Sequence, residues 1–193
     1  MPRDARGLVL FAHGSGSSRF SPRNAFVAGM LAEGRLASLL LDLLTPDEEK
    51  IDAKTAALRF DIGMLASRLV AATRWTRTQP ALEHLQIGYF GASTGAAAAL
   101  VAAAMLRDEI RAIVSRGGRP DLAGAYLSRV AAPTLLIVGG NDDMVIELNN
   151  QAARQMSAPH RIAIVPGATH LFEEPGTLAT AARLAREWFE VHL

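Results

Sequence analysis

The chain has no cysteine among its 193 residues. This excludes disulfides, cysteine metal ligands and a cysteine nucleophile. Aromatic residues make up only 6%, and 20 basic residues nearly balance 19 acidic ones. Without a basic stripe, nucleic acid is not an expected partner. No apolar run approaches the roughly 18 residues of a membrane span, and no signal-peptide core precedes the first apolar run. We therefore expect a cytoplasmic protein without a membrane partner.

Short apolar runs alternate with segments of helical spacing along the whole chain. This alternation predicts a three-layer α/β/α sandwich around a mostly parallel, doubly wound sheet of about six strands. The length suits a single domain over residues 1–193. Residues 45–50 are expected to form a charged loop, and residues 54–75 a helix. The predicted strands lie at 8–12, 36–44, 85–90, 110–114, 134–138 and 161–165.

The stretch 85–106 carries the clearest functional signal. An apolar run of strand length ends in Gly-Ala-Ser-Thr-Gly at positions 91–95, and small residues then continue as a helix. A strand, a tight turn and a helix with Ser93 at the apex match the nucleophile elbow, in which the serine hydroxyl stands clear of the sheet. The alternative is a glycine-rich β–α turn whose glycines only permit close packing. The partners of Ser93 must decide between the two.

A serine nucleophile needs a base to accept its proton and an acid to orient that base. In the hydrolase topology the chain order is serine, acid, histidine, and Ser93, Asp142 and His170 follow that order, each just after a predicted strand. The other downstream histidines, His160 and His192, lie before a strand and in the last helix. Asp143 competes with Asp142 for the acid role, although it could instead cap the following helix.

The loop after the first strand supplies candidate groups for the oxyanion. The backbone N–H of Thr94, which follows the nucleophile, is one expected donor, and that of Ser15 is the other. His13 is expected to brace its loop, and together with Gly14 it is also a candidate substrate contact. The same loop resembles a phosphate-binding turn, but Arg19 replaces the last glycine of G-x-G-x-x-G, which argues against a nucleotide site.

These segments together resemble the α/β-hydrolase fold, and more narrowly its small dienelactone-hydrolase-like branch. The resemblance covers residues 8–193 and implies Ser93 as nucleophile, His170 as base and Asp142 as acid. Dienelactone hydrolase itself uses a cysteine nucleophile, which this chain does not have. The cap domain and the N-terminal antiparallel strands of larger relatives are also missing from the pattern. We therefore expect an open, shallow site bounded by residues 13–21, 42–52, 115–125 and 171–176.

Two arginines near this site have two interpretations. Arg116 and Arg119 could bind a carboxylate or phosphate of the substrate, because a guanidinium pairs well with such groups. They could equally hold local carbonyls or Asp121 in a solvated loop, which is the favoured interpretation because surface charges are common.

The sequence as a whole predicts a serine hydrolase of carboxylic esters or related acyl compounds. The mechanism requires no cofactor and no metal. A non-catalytic binding module on the same fold and an acyltransferase remain alternatives. A homodimer through a sheet edge is a further expectation.

Overall fold

Six parallel strands form one sheet in a computed structural model, which describes residue 2 and residues 4–193. The order across the sheet is β2-β1-β3-β4-β5-β6, and every neighbouring pair is parallel. This confirms the predicted fold class. The strands are β1 Gly7–Ala12, β2 Leu36–Leu40, β3 Gln86–Ala92, β4 Ile110–Arg116, β5 Thr134–Gly139 and β6 His160–Val165.

Helices cover both faces of the sheet. α1 and α6 pack on one face, while α3, α4 and part of α5 pack on the other. Three short 3-10 helices occupy Leu58–Phe60, Arg107–Glu109 and Pro120–Arg129. The α-helices are α1 Pro22–Glu33, α2 Pro46–Thr55, α3 Ile62–Thr76, α4 Thr94–Leu106, α5 Asp143–Ala153 and α6 Thr177–His192.

The central strands are apolar on both sides because helices cover both of their faces. Along β1, Leu8 and Leu10 face the cluster that includes α3 and α4, while Val9 and Phe11 face α1 and α6. Helix α4 lies at the centre of the first cluster, and every residue of it except Met105 is buried. Its alanines and Gly95 leave little side-chain volume, so that its backbone can approach the sheet closely.

The strand order reverses direction between β1 and β3, since β1 is followed by β2 on one side and the later strands extend to the other. In parallel sheets a crevice forms at such a switch point, outside the carboxyl ends of the strands. The loop after β1, residues 13–21, and the turn after β3 meet at this point. The fold therefore places the Ser93 turn where ligands of doubly wound proteins bind.

The prediction of a charged loop at 45–50 was wrong, because helix α2 begins at Pro46. The Thr45 side chain accepts from the Glu48 N–H, and the Glu48 carboxylate accepts from the Thr45 N–H at 2.7 Å, which completes a capping box. Proline at the first helical position adds a preset backbone angle. Glu48 also binds Arg68 of α3 at 2.6 Å, so tertiary contacts hold the short helix in place.

Two further boundaries differ from the prediction. Residues 54–75 do not form one helix: α2 ends at Thr55, and α3 begins at Ile62 after Asp61 caps the Met64 N–H at 2.9 Å. Strand β2 ends at Leu40 rather than at residue 44. Leu43 and Leu44 are buried as coil beside the loop after β1, where the Leu43 N–H donates to His13, and apolar patterning does not reveal this tertiary effect.

Candidate active site

Ser93 occupies a strained turn between β3 and α4. Its backbone angles are φ 50° and ψ −122°, a conformation that non-glycine residues rarely adopt and that costs of the order of 1–3 kcal/mol. The neighbouring glycines are required by contact: a β-carbon at position 95 would lie 2.2 Å from the Ala12 carbonyl oxygen, and one at position 91 would lie 2.4 Å from Ala96 Cα. The surrounding backbone therefore holds the serine at the apex of a nucleophile-elbow geometry.

The helix that follows Ser93 provides favourable electrostatics. Thr94 is the first residue of α4, and the first N–H groups of a helix have no partner within the helix. The helix dipole also favours negative charge at this end. The Ser15 hydroxyl lies 3.1 Å from the Thr94 hydroxyl, so the loop after β1 borders the residue after the nucleophile. Ser15 and Thr94 are therefore in contact through their side chains beside the Ser93 turn.

Asp142 and His170 form a hydrogen-bonded pair at the ends of β5 and β6. His170 Nδ1 lies 2.7 Å from Asp142 Oδ2, and the side chains are 38% and 14% exposed. A carboxylate can only accept, so Nδ1 carries the proton and Nε2 is left to act as a base. Asp143 is the first residue of α5 and makes no hydrogen bond with His170 in the described chain. The structure therefore brings Asp142, and not Asp143, to the histidine.

Backbone contacts hold these two loops together. The Asn141 N–H donates to the Ala168 carbonyl at 2.9 Å, and the Asn141 side chain donates to the Gly167 carbonyl at 3.1 Å. Thr169 donates to Glu174 through both its N–H and its hydroxyl, at 3.0 and 2.6 Å. The hydroxyl bond, followed by the N–H bond, lowers the pKa of Glu174 below its usual value. Glu174 thus fastens the His170 loop, a role that its sequence position before α6 did not suggest.

Ser93 and His170 line the same cavity, which has a volume of about 180 Å³. No hydrogen bond joins Ser93 Oγ to His170 within the described residues. Such catalytic contacts are often loose without substrate and shorten in the complex. Gly117 packs closely against the His170 loop, because a β-carbon there would lie 3.0 Å from the His170 carbonyl oxygen. The arrangement brings Ser93, His170 and Asp142 together at the carboxyl ends of the strands.

His13 has a structural role in this arrangement. The side chain is buried, with Nδ1 at 3.0 Å from the Gly14 carbonyl and Nε2 accepting from the Leu43 N–H at 2.9 Å. Both ring nitrogens are therefore used by backbone groups, which leaves neither for a substrate. Gly14 lies directly against the nucleophile, since a β-carbon there would be 2.9 Å from Ser93 Cβ.

The side chains of Arg116 and Arg119, the two candidate substrate-binding arginines, have different surroundings. Arg119 binds Asp121 with two parallel hydrogen bonds of 2.9 and 2.7 Å, as the loop interpretation expects. Arg116 is only 7% exposed and lies in the cavity with Ser93 and His170. The Arg119 N–H donates to the Ser93 carbonyl at 3.1 Å, but its guanidinium binds Asp121, so of these two side chains it is that of Arg116 that lies with the candidate catalytic residues.

A second and larger cavity, of about 350 Å³, lies on the Thr94 side of the nucleophile. Helix α2 provides one wall through Glu49, Asp52 and Ala53. Asp52 of α2 is 4% exposed, and its carboxylate accepts from Arg59 Nε at 2.7 Å and from the Arg59 N–H at 2.9 Å. The apolar lining comes from Leu43, Leu44, Ala53 and Leu65.

Two further features are absent from residues 2 and 4–193, namely a metal-binding cluster and a membrane-spanning helix. No group of three or more histidine, aspartate and glutamate side chains is arranged to hold a metal ion in this part of the chain. Over the same residues, no helix combines the length and the apolar character needed to cross a membrane.

Known proteins share this fold and sequence. The dienelactone hydrolase family model matches residues 25–192. A dienelactone hydrolase from Anabaena variabilis, known as a crystal structure, is 59% identical over 100% of this chain and 89% of its own, with a TM-score of 0.97. Est1E from Butyrivibrio proteoclasticus, at 17% identity over 100% of this chain and 91% of its own, shares the fold with a TM-score of 0.81.

A longer relative is known in Mycobacterium tuberculosis. A protein named "Putative phosphoribosyl transferase" is 58% identical over 193 residues, which is 100% of this chain but 43% of the relative. This chain thus spans less than half the length of that curated relative. The family match, by contrast, falls within this chain and supports hydrolase activity. The fold, the Ser93 turn and these matches together show that the chain belongs to the dienelactone hydrolase family.

Proposed function

We propose that the protein is a serine hydrolase of carboxylic esters or related acyl compounds. The observation that carries this proposal is the strained Ser93 turn in the same cavity as the His170–Asp142 pair. The family's hydrolase character supports the reaction class. The serine replaces the cysteine nucleophile of dienelactone hydrolase proper.

The reaction begins when Ser93 Oγ attacks the acyl carbon and His170 Nε2 accepts the hydroxyl proton. The tetrahedral intermediate carries its negative charge on the former carbonyl oxygen, where the N–H groups of Thr94 and Ser15 donate to it. Collapse breaks the bond to the leaving group, which takes the proton from His170. A water molecule then attacks the acyl-enzyme, gives its proton to His170 and releases the acid, and Ser93 regains its hydrogen.

Each of the two cavities suits a different part of the substrate. The larger cavity has leucine walls, and its carboxylate Asp52 is bound by Arg59, so it suits the apolar acyl chain. The smaller cavity contains His170 and suits the part of the substrate on the other side of the scissile bond.

Hydrolysis of p-nitrophenyl acetate, butyrate and octanoate by the wild type and by Ser93→Ala tests this proposal. We expect Ser93→Ala to lower kcat/KM by about 10³-fold or more, since the acyl-enzyme cannot form. Ser128→Ala is a matched control, because Ser128 is exposed on the Pro120–Arg129 helix. Unchanged hydrolysis by Ser93→Ala would reject the proposal.

Two alternatives are outcomes of the same assay. A binding module would neither hydrolyse the esters nor react with a fluorophosphonate at Ser93. An acyltransferase would form more ester than hydrolysis product when an alcohol acceptor is added. The phosphoribosyl transferase activity in the relative's name is not proposed here, because no feature of the site described above favours it.

A further inference from the structure

Arg116 is a buried cation, and two of its guanidinium nitrogens have no hydrogen-bonding partner among the described residues. It is 7% exposed, and its Nε and Nη1 atoms are buried and make no hydrogen bond with the described residues. Burying a charge is costly unless a hydrogen-bonded partner compensates it, so buried arginines are normally paired. Burial lowers the pKa of the Arg116 guanidinium to about 10, and the nearby charge of Arg23 acts in the same direction. The group is still protonated at neutral pH, and no hydrogen bond within the described residues offsets the burial of its Nε and Nη1 atoms.

The position of Arg116 joins it to the nucleophile. Its carbonyl accepts from the Ser93 N–H at 3.4 Å, so the two residues are neighbours across β3 and β4. Alternation along β4 puts Arg116 on the same face as Val114, toward α1 and α6. The guanidinium carbon lies 5.8 Å from the centre of the Phe172 ring, which confirms this direction. The guanidinium thus lies in the cavity that Ser93 and His170 line.

The rest of this cavity is also suited to negative charge. The N-terminus of α1 borders it through Ser21, Arg23 and Asn24, and Ser17 lies on the rim. Helix α1 spans 12 residues, so its dipole adds positive potential at this end. Arg23 is a second guanidinium, and it binds Glu173 at 3.2 Å on the exposed side. Glu173 is the carboxylate that an incoming anion would compete with.

Resting on the proposed hydrolase function, we propose that this cavity is an anion subsite, in which Arg116 and the N-terminus of α1 bind a phosphate group carried by the ester substrate. A phosphate presents three oxygens and accepts more hydrogen bonds than a carboxylate. The donors around the cavity include two guanidinium groups and the Ser17 and Ser21 hydroxyls, which is a set that phosphate uses well. The Ser21 hydroxyl oxygen already accepts from the Asn24 N–H, so the N-terminus of α1 contributes mainly through its dipole. The substrate phosphate supplies the counter-charge that Arg116 does not have in the protein alone.

Three butyrate esters that differ only in the end of the alcohol part test the subsite, because the smaller cavity suits that side of the scissile bond. They are the butyrate esters of 1-pentanol, 5-hydroxypentanoate and 4-hydroxybutylphosphonate, and the release of butyrate is followed by pH-stat titration. We expect the wild type to prefer the phosphonate over the neutral ester by about 10- to 100-fold in kcat/KM, as charge-assisted bonds to a buried arginine would give. Arg116→Met should remove most of that ratio, and Arg116→Lys should retain part of it. Arg111→Met, an exposed arginine at the other end of β4, should leave the ratio unchanged.

A binding measurement separates this proposal from the hydrolase proposal. Calorimetric titration of Ser93→Ala with inorganic phosphate needs no turnover, and we expect saturable binding that is lost in the Ser93→Ala, Arg116→Met double variant. Absence of saturable binding by the folded Ser93→Ala protein would overturn the subsite. Equal or greater preference for the 5-hydroxypentanoate ester would overturn the phosphate assignment. Hydrolysis of the neutral ester with no preference for either anion, and no phosphate binding, would reject the subsite while leaving the hydrolase proposal intact.

Discussion

The two cavities beside Ser93 treat charge in opposite ways. In the larger one, the buried carboxylate of Asp52 is compensated by two bonds from Arg59, and leucines supply the walls. In the smaller one, the buried guanidinium of Arg116 has no hydrogen-bonding partner in the described chain. The protein thus compensates the charge beside one cavity and leaves the charge in the other uncompensated. We infer from this difference that the smaller cavity binds a negatively charged ligand.

The largest expected effect is on kcat, and it comes from removing the carboxylate of the candidate catalytic acid, Asp142. Asp142→Asn should lower kcat by about 10²- to 10⁴-fold, because an amide no longer holds His170 in the tautomer that leaves Nε2 free. The loss should be equal for neutral and phosphonate esters, which steady-state kinetics with both substrates will show. Asp143→Asn is the adjacent control and should change kcat less than about threefold. An effect of Asp143→Asn as large as that of Asp142→Asn would contradict the assignment of the acid.

The apolar cavity can be narrowed at Ala53. This exposed residue of α2 lines the cavity, so Ala53→Phe should reduce kcat/KM for the octanoate ester by about tenfold and for the acetate ester far less. The comparison of chain lengths by steady-state kinetics is the measurement. Lys54→Phe adds the same ring to the next position, outside the cavity lining, and serves as the control. If the two variants behave alike, the acyl chain does not enter the larger cavity.

The bonds from Arg59 to the Asp52 carboxylate lead to a prediction about how stability depends on pH. Burial raises the pKa of Asp52, but the hydrogen bonds from Arg59 outweigh this and hold the pKa below its usual value. A lowered pKa means that the ionised form stabilises the fold above the ordinary carboxyl pKa, and that this contribution disappears as pH falls through the lowered value. Asp52→Asn should therefore lower Tm by a few degrees at pH 7. Thermal melts between pH 7 and pH 3 should show the gap closing toward acid; a constant gap would mean that packing, and not charge, explains the loss.

The smallest expected effect is a gain in stability. Arg116→Met replaces an uncompensated buried charge with an apolar side chain of similar length, so Tm should rise by about 1–4 °C. Arg119→Met removes a paired arginine and leaves Asp121 without its partner, so Tm should fall. Thermal denaturation of both variants in phosphate-free buffer makes the comparison. A decrease of Tm in Arg116→Met as large as in Arg119→Met would show that Arg116 serves the fold rather than a ligand.

The sequence predicted the elements whose signals are local. The glycines around Ser93 mark the turn, and the order Ser93, Asp142, His170 with a strand before each indicates their common location. The parallel sheet follows from the alternation of apolar runs and helices. These features need only chain order and residue size.

Other features depend on tertiary contacts. Helix α2 was missed because its charged residues resemble a loop, although the Thr45–Glu48 capping box is visible in the sequence. Arg116 and Arg119 are three positions apart and chemically identical, so composition cannot distinguish them. Arg116 lies at the end of a buried strand, while Arg119 has Asp121 two residues away. The burial of Arg116 and its contact with the Phe172 ring, both tertiary features, show that the first guanidinium is enclosed.

The most direct test of the account is the site of covalent labelling by a fluorophosphonate. Attack by an activated serine forms an O–P bond and releases fluoride, which adds the probe mass to one peptide. We expect labelling of Ser93 in the wild type and its loss in a folded His170→Ala variant, because the base is then absent. Labelling of another residue, or no labelling of the folded wild-type protein, would contradict the assignment of Ser93 as the nucleophile.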